Sequence, residues 1–172
     1  MLSSLTKNQS ELLSESEVEL IPRVYIDTSV IAGCLDQEFQ EHSEQLFRDF
    51  KAGHYRPVLS DITIAELLQS PKEVESLLKH PALRGAERVY LEAESISLAE
   101  AYISEGVVTD ANRVDAQHIA IATVERVDIL VSWNFRHIVK WSRIRAFNAV
   151  NLKSGYPELE IRSPREICHE KE

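Results

Sequence analysis

Four oxygen-bearing side chains stand where chemistry could be done: Asp27, Glu66, Asp115 and Asn134. Asp27 ends the β-branched and aromatic run Arg23-Val24-Tyr25-Ile26, and Asn134 lies just beyond Ile129-Leu130-Val131. Glu66 falls one turn into the segment after Pro57-Val58-Leu59, and Asp115 lies near the start of a strongly apolar stretch. Three carboxylates in one partly buried site repel one another, and each is costly to keep ionised without a compensating cation. A divalent metal removes that conflict. All-oxygen ligation suits Mg²⁺ or Mn²⁺, whereas zinc would want His or Cys at defined spacing, and no zinc set is evident.

Taken singly, each residue also has a plain structural reading. Asp27 suits a turn or cap, Glu66 a solvated helix face, Asp115 the positive end of a helix dipole, and Asn134 the cap of the next helix. His118, three residues after Asp115, reads as a packed histidine rather than a ligand, and His137 likewise.

The elements around these positions decide whether they meet. Strand patterns cover 23–28, 56–60, 88–91, 129–131 and 160–161. Helical spacing covers 37–51, stopped by Gly53, then 62–69 with Asp61 as N-cap, 95–105, 111–126 and 136–152. A further helix is expected from Ser70-Pro71 to about His80, with Glu73 completing a capping box. Strands alternating with helices imply an α/β fold, a parallel sheet covered on both faces. Ligands of such sheets bind outside the carboxyl ends of the strands, the edge on which the four side chains are expected to converge.

At 172 residues, with 44% hydrophobic and 27% charged, the chain has the composition of one globular domain. The formal charge of −9 excludes a generally basic nucleic-acid-coating protein. Residues 1–20 hold Lys7 against Glu11, Glu15, Glu17 and Glu19, a net of −3, which leaves −6 for 21–172. The first 20 residues are expected to be an acidic extension and 21–172 the folded domain. Cys34 and Cys168 match no CxxC spacing and are read as reduced packing residues. No stretch approaches the ~20 apolar residues of a membrane span or the apolar core of a signal peptide, so a cytoplasmic location without membrane association is expected.

Four segments together resemble the PIN-domain metal-dependent ribonucleases, and within them the bacterial toxins of the VapC type. They are VYIDTSVIAG around Asp27, DITIAELLQS around Glu66, VDAQHIAIATVERVDILVSWNFRHI around Asp115 and Asn134, and the closing IRSPREI. The likeness covers residues 24–167, and its order and spacing are more specific than any one segment. It implies a PIN-like three-layer α/β/α sandwich that cleaves RNA phosphodiesters with metal-activated water. The family's acidic positions fall on Asp27, Glu66 and Asp115, with the fourth, an Asp in many members, at Asn134. A neutral Asn still offers a carbonyl oxygen but removes one negative charge.

Asp27 and Asp115 are then the first candidates for direct ligation of Mg²⁺ or Mn²⁺, with Glu66 as a third ligand or orienting water. Thr28 and Ser29 are placed to donate to Asp27 or to a substrate phosphate. Arg136, Lys140 and Arg143, at i, i+4 and i+7 of an expected helix, would share a basic face for RNA phosphates. The resemblance further implies a homodimer and a cognate antitoxin. The alternatives are a non-catalytic scaffold of the same fold, binding RNA or protein, and a phosphoacceptor Asp27 as in receiver or haloacid-dehalogenase-like proteins. The second lacks its usual companions, since Ser29 holds the position of a second Asp.

Overall fold

The structure, a computed structural model, describes residues 20–169; apart from Leu20, the expected acidic extension lies outside the described residues. Five short strands form one sheet: β1 (Arg23–Ile26), β2 (Arg56–Ser60), β3 (Glu87–Val89), β4 (Ile129–Val131) and β5 (Glu160–Arg162). Their order is β3-β2-β1-β4-β5, and every neighbouring pair is parallel. The chain builds outward from β1 to β3, then crosses back to lay β4 against the other side of β1. The reversal opens a crevice at the carboxyl ends of β1 and β4.

Successive strand side chains point to opposite faces, and burial sorts them accordingly. Tyr25, Val58, Val89, Leu130 and Ile161 join one core beneath α5 (Ala93–Ser104), α6 (Arg113–Val124) and α7 (Trp141–Lys153). Val24, Ile26, Leu59 and Val131 join a second beneath α1 (Thr28–Ala32), α2 (Gln40–Ala52), α3 (Asp61–Leu68) and α8 (Pro164–Ile167). The result is the three-layer α/β/α arrangement that the alternation of patterns implies. α6 is buried on most sides, as its broad apolar surface predicts.

Three local expectations are corrected. Ser60, not Asp61, caps α3: its Oγ accepts from Thr63 N at 3.1 Å, while Asp61 Oδ1 accepts from Leu91 N at 3.0 Å. The capping box at Ser70 does not form, because the Ser70 hydroxyl donates to Glu66 O at 2.9 Å and closes the preceding helix instead. Only one turn, α4 (Lys72–Glu75), and a 3-10 turn at Ser76–Lys79 follow.

The third correction bears on function. α7 begins at Trp141 rather than Arg136. Asn134 gathers the intervening residues into a separate turn, its Oδ1 accepting from His137 N at 2.9 Å and its carbonyl from Ile138 N and Val139 N at 3.0 and 2.8 Å. Ile138 is wholly buried, and Lys140 is extended at φ −134, ψ 124, which breaks helical continuity. Arg136, Lys140 and Arg143 therefore do not share a helix face.

Gly33 lies where α1 runs into the next turn, at φ −58, so its backbone conformation suits any residue. Space is the constraint: a Cβ there would sit 2.5 Å from Ser43 Oγ and 2.8 Å from Trp133 Nε1. Neither neighbour yields easily, because Trp133 Nε1 donates to Ser43 Oγ at 2.8 Å and Ser43 Oγ to Val30 O at 2.8 Å. Gly33→Ala is expected to lower unfolding free energy by about 1–3 kcal/mol, the usual cost of overpacking, read by urea denaturation.

Candidate active site

β1 runs directly into α1, which leaves Asp27 at the carboxyl end of the central strand as N-cap of a helix its side chain does not cap. Its carboxylate is instead 6% exposed and held from the side, Oδ2 accepting from Ser29 Oγ at 2.6 Å and Ser132 Oγ at 2.8 Å. Ser132 follows β4, so this bond joins the two sides of the crevice. Oδ1 faces His118 Nε2 at 3.6 Å.

His118 lies one turn along α6 from Asp115 and is 1% exposed. Its Nε2 is 2.7 Å from Glu66 Oε1, and its Nδ1 is 2.6 Å from the Tyr25 hydroxyl. A chain of donors behind Tyr25 fixes the protons. Thr63 Oγ1 donates to Ile26 O, Ser60 Oγ lies 3.1 Å from Thr63 Oγ1, and the Tyr25 hydroxyl donates to Ser60 Oγ at 2.7 Å. With its proton committed to Ser60, Tyr25 Oη is left as acceptor from His118 Nδ1–H, while Nε2–H donates to Glu66. Both ring nitrogens then donate, an arrangement that suits the protonated ring.

The surrounding charges agree with that assignment. Burial pulls the His118 pKa down, but the bond to Glu66 and the charges of Asp27, Glu66 and Asp115 outweigh it and hold the proton above the ordinary histidine range. The opposite holds at Asp115, half-buried in the first turn of α6. Burial and then the charge of Asp27 push its carboxyl up, against the pull of His118, His137 and the Asn134 bond. Three carboxyl groups thus face one buried imidazole.

Asn134 turns its amide Nδ2 toward Asp115 Oδ2 at 3.3 Å, while its Oδ1 accepts from His137 N. Ser29 meets Asp27 as expected, whereas Thr28 Oγ1 and His137 Nδ1 are buried without a partner among the described residues. Arg136 and Lys140 are exposed and Arg143 half-buried, while the Arg145 guanidinium lies 4.9 Å over the Trp141 ring. The acidic side chains do not close into a single metal-sized set. Among the described residues, the one group of three whose ligand atoms all lie within 4.8 Å is Asp49, His54 and His169, at the opposite edge of the sheet.

The fold is a known one. A chain of VapBC2 from Rickettsia felis, bound to a DNA fragment from their promoter, superposes with a TM-score of 0.53 at 16% identity over 82% of this chain and 98% of that one. FitAcB from Neisseria gonorrhoeae gives 0.55 at 14% identity over 84% and 99%. A toxin-antitoxin complex from Klebsiella pneumoniae gives 0.50 at 16% over 66% and 88%. At these identities the likeness is one of fold, and it agrees with the PIN-like architecture expected from the sequence. No family model matches the chain, and neither does any curated protein.

The sequence reads His118 as a packed histidine, and it is buried. Its burial was legible, but not its position between two carboxylates; the available signal was its i+3 spacing from Asp115 on a helix too apolar to leave an imidazole unpartnered.

A proton held more tightly in the folded state stabilises that state below the unfolded pKa, about 6.5 for histidine, and the gain is lost as pH rises through the folded value. The unfolding free energy of the cation-free protein is therefore expected to fall from pH 6 upward. Glu66→Gln, which removes the strongest contribution holding the proton, should flatten that slope. Urea denaturation across pH 5.5–8.5 measures both.

Proposed function

We propose that this protein is a Mg²⁺- or Mn²⁺-dependent endoribonuclease and the toxin of a toxin-antitoxin pair. The observation that carries the reading is the gathering of Asp27, Glu66 and Asp115 around His118 at the carboxyl ends of β1 and β4, where burial and then the charge of Asp27 push the Asp115 carboxyl up. Such a pair is relieved by one divalent cation. The donors suit a hard ion, being carboxylate oxygens, and the unpartnered Thr28 Oγ1 and His137 Nδ1 beside them are groups that a hydrated ion or a phosphate would satisfy. Asp27 and Asp115 would hold the ion. When bound, it supplies neutralisation of charge developing on the phosphate and a lowered pKa for its water.

The chain's own residues supply orientation. Ser29 and Ser132 fix Asp27 through Oδ2, so that its free oxygen keeps one direction. Asn134 steadies Asp115 through its amide. His118 holds Glu66 through Oε1, leaving Oε2 to orient the attacking water and take its proton. Arg136 and Lys140, exposed on the turn that follows Asn134, together with Arg143 would meet the RNA backbone, giving salt-dependent affinity largely blind to sequence.

A groove of about 500 Å³ is lined by Phe39, Trp133, Phe135 and Trp141, with Arg162 and Arg165 beside Glu38 and Glu166. Phe135 and Trp141 are exposed there at 49% and 72%. Aromatic walls with charges of both signs fit an amphipathic segment of an antitoxin, and the complexes that share this fold support that partner. A homodimer belongs to the same reading.

One observation favours the non-catalytic scaffold as second reading: Asn134 turns an amide donor toward Asp115, where many members of the resembled family carry a carboxylate.

Incubation with labelled RNA and Mn²⁺ separates the two. Cleavage is expected, and Asp27→Asn or Asp115→Asn should each reduce it at least about 100-fold, since each removes a ligand of the ion on which the chemistry depends. Intact RNA with retained binding would instead establish the scaffold. Arg136→Ala with Lys140→Ala should weaken binding to all RNAs alike and reduce the slope of log affinity against log salt by about 1–2.

A further inference from the structure

Asp49 lies in the last turn of α2, 2% exposed, yet no Lys or Arg among the described residues pairs with it. A buried carboxylate without a cation is costly unless something else supplies charge or bonds. Gln45 Nε2 donates to Oδ1 at 3.2 Å and His169 N to Oδ2 at 3.0 Å. The remaining neighbours are two imidazoles. His54 Nδ1 lies 3.5 Å from Oδ1, and His169 Nδ1 lies 3.6 Å from Oδ2.

These separations suit an ion. Ligands about 2.0–2.1 Å from a tetrahedral zinc stand roughly 3.3–3.5 Å apart, so a small closure of the two imidazoles onto Asp49 suffices. All three ligand atoms already lie within 4.8 Å of one another, and the two rings are 4.3 Å apart at 42°. His169 is held in place from outside the set: the Tyr55 hydroxyl donates to Ile167 O at 2.7 Å, and the Tyr55 ring lies 5.5 Å from the His169 ring. Two imidazole nitrogens and one carboxylate favour a borderline ion over Mg²⁺.

We propose that Asp49, His54 and His169 bind one divalent transition-metal ion of the zinc class, with water completing the tetrahedron. His54 lies two positions before β2, so the set sits at the amino ends of the strands, across the sheet from Asp27. It ties the end of α2 and the turn into β2 to the segment after α8, far along the chain. The ion's role is structural, clamping residues 168–169 against the body of the domain.

Zinc titration of the metal-stripped full chain against a chromogenic chelator, with thermal unfolding in parallel, tests this. One equivalent is expected to bind with a dissociation constant below about 1 μM, a binding free energy beyond about −8 kcal/mol, and to raise Tm. His54→Ala and His169→Ala, both at half-exposed positions that fold without difficulty, should each weaken binding more than about 100-fold, past what loss of an outer-shell partner costs. The double variant Asp27→Asn, Asp115→Asn should bind as wild type does. Wild-type affinity weaker than about 100 μM, unchanged affinity in the histidine variants, or loss of binding in the Asp27/Asp115 variant would each overturn the proposal; the last would place the ion at the other site.

Discussion

The carboxyl edge of the sheet depends on the pairing of buried negative charge with a buried positive one. Asp27 is almost inaccessible and its charge is felt by Asp115 and by His118. Burying that carboxylate beside Glu66 and Asp115 would be prohibitive with water excluded and nothing opposing it. His118, committed as a donor on both ring nitrogens, opposes it from within the protein. This divides the electrostatic problem in two. A protonated His118 opposes one charge from within the protein, and on the proposed reading a divalent ion would meet what remains.

His118 is itself anchored by the fold's polarity. Its second nitrogen meets Tyr25, which belongs to the opposite face of β1 from Val24 and Ile26 and so lies in the core beneath α6. Tyr25 passes the constraint to Ser60, the residue that caps α3, and α3 carries Glu66 back to His118. The loop of contacts closes through β1, β2, α3 and α6. A shift in any of them would move Glu66 relative to Asp27, which gives the cap at Ser60 a consequence well beyond the stability of one short helix.

The strands and their order of use were legible in the sequence because a parallel sheet buried on both faces writes itself as short β-branched runs ending in polar residues. Asp27 and Asn134 were legible for the same reason, as the polar stops of such runs. Less legible was anything decided by one hydroxyl or amide choosing among several backbone partners. Ser70 matched a capping box by spacing, yet its hydroxyl bonds to Glu66 O behind it. Arg136, Lys140 and Arg143 matched a helical face, yet Asn134 with buried Ile138 made a separate turn. Local spacing carries no information on which tertiary contact wins. The pairing of Asp49 with histidines 54 and 169 was equally invisible, since its members are 120 positions apart and share no motif.

Asn134 shows how one atom type can reassign a position. An aspartate there would add a further negative charge and would repel Asp115, whose carboxyl is already pushed up by burial and by Asp27. The amide does the reverse. Its oxygen is spent on the His137 N–H, fixing the turn that exposes Arg136 and Lys140, and its nitrogen donates to Asp115. The amide donor therefore lowers the cost of keeping Asp115 ionised, and on the proposed reading it would favour a single cation over a tightly held pair while coupling the orientation of the basic turn to the carboxylate that would hold that cation.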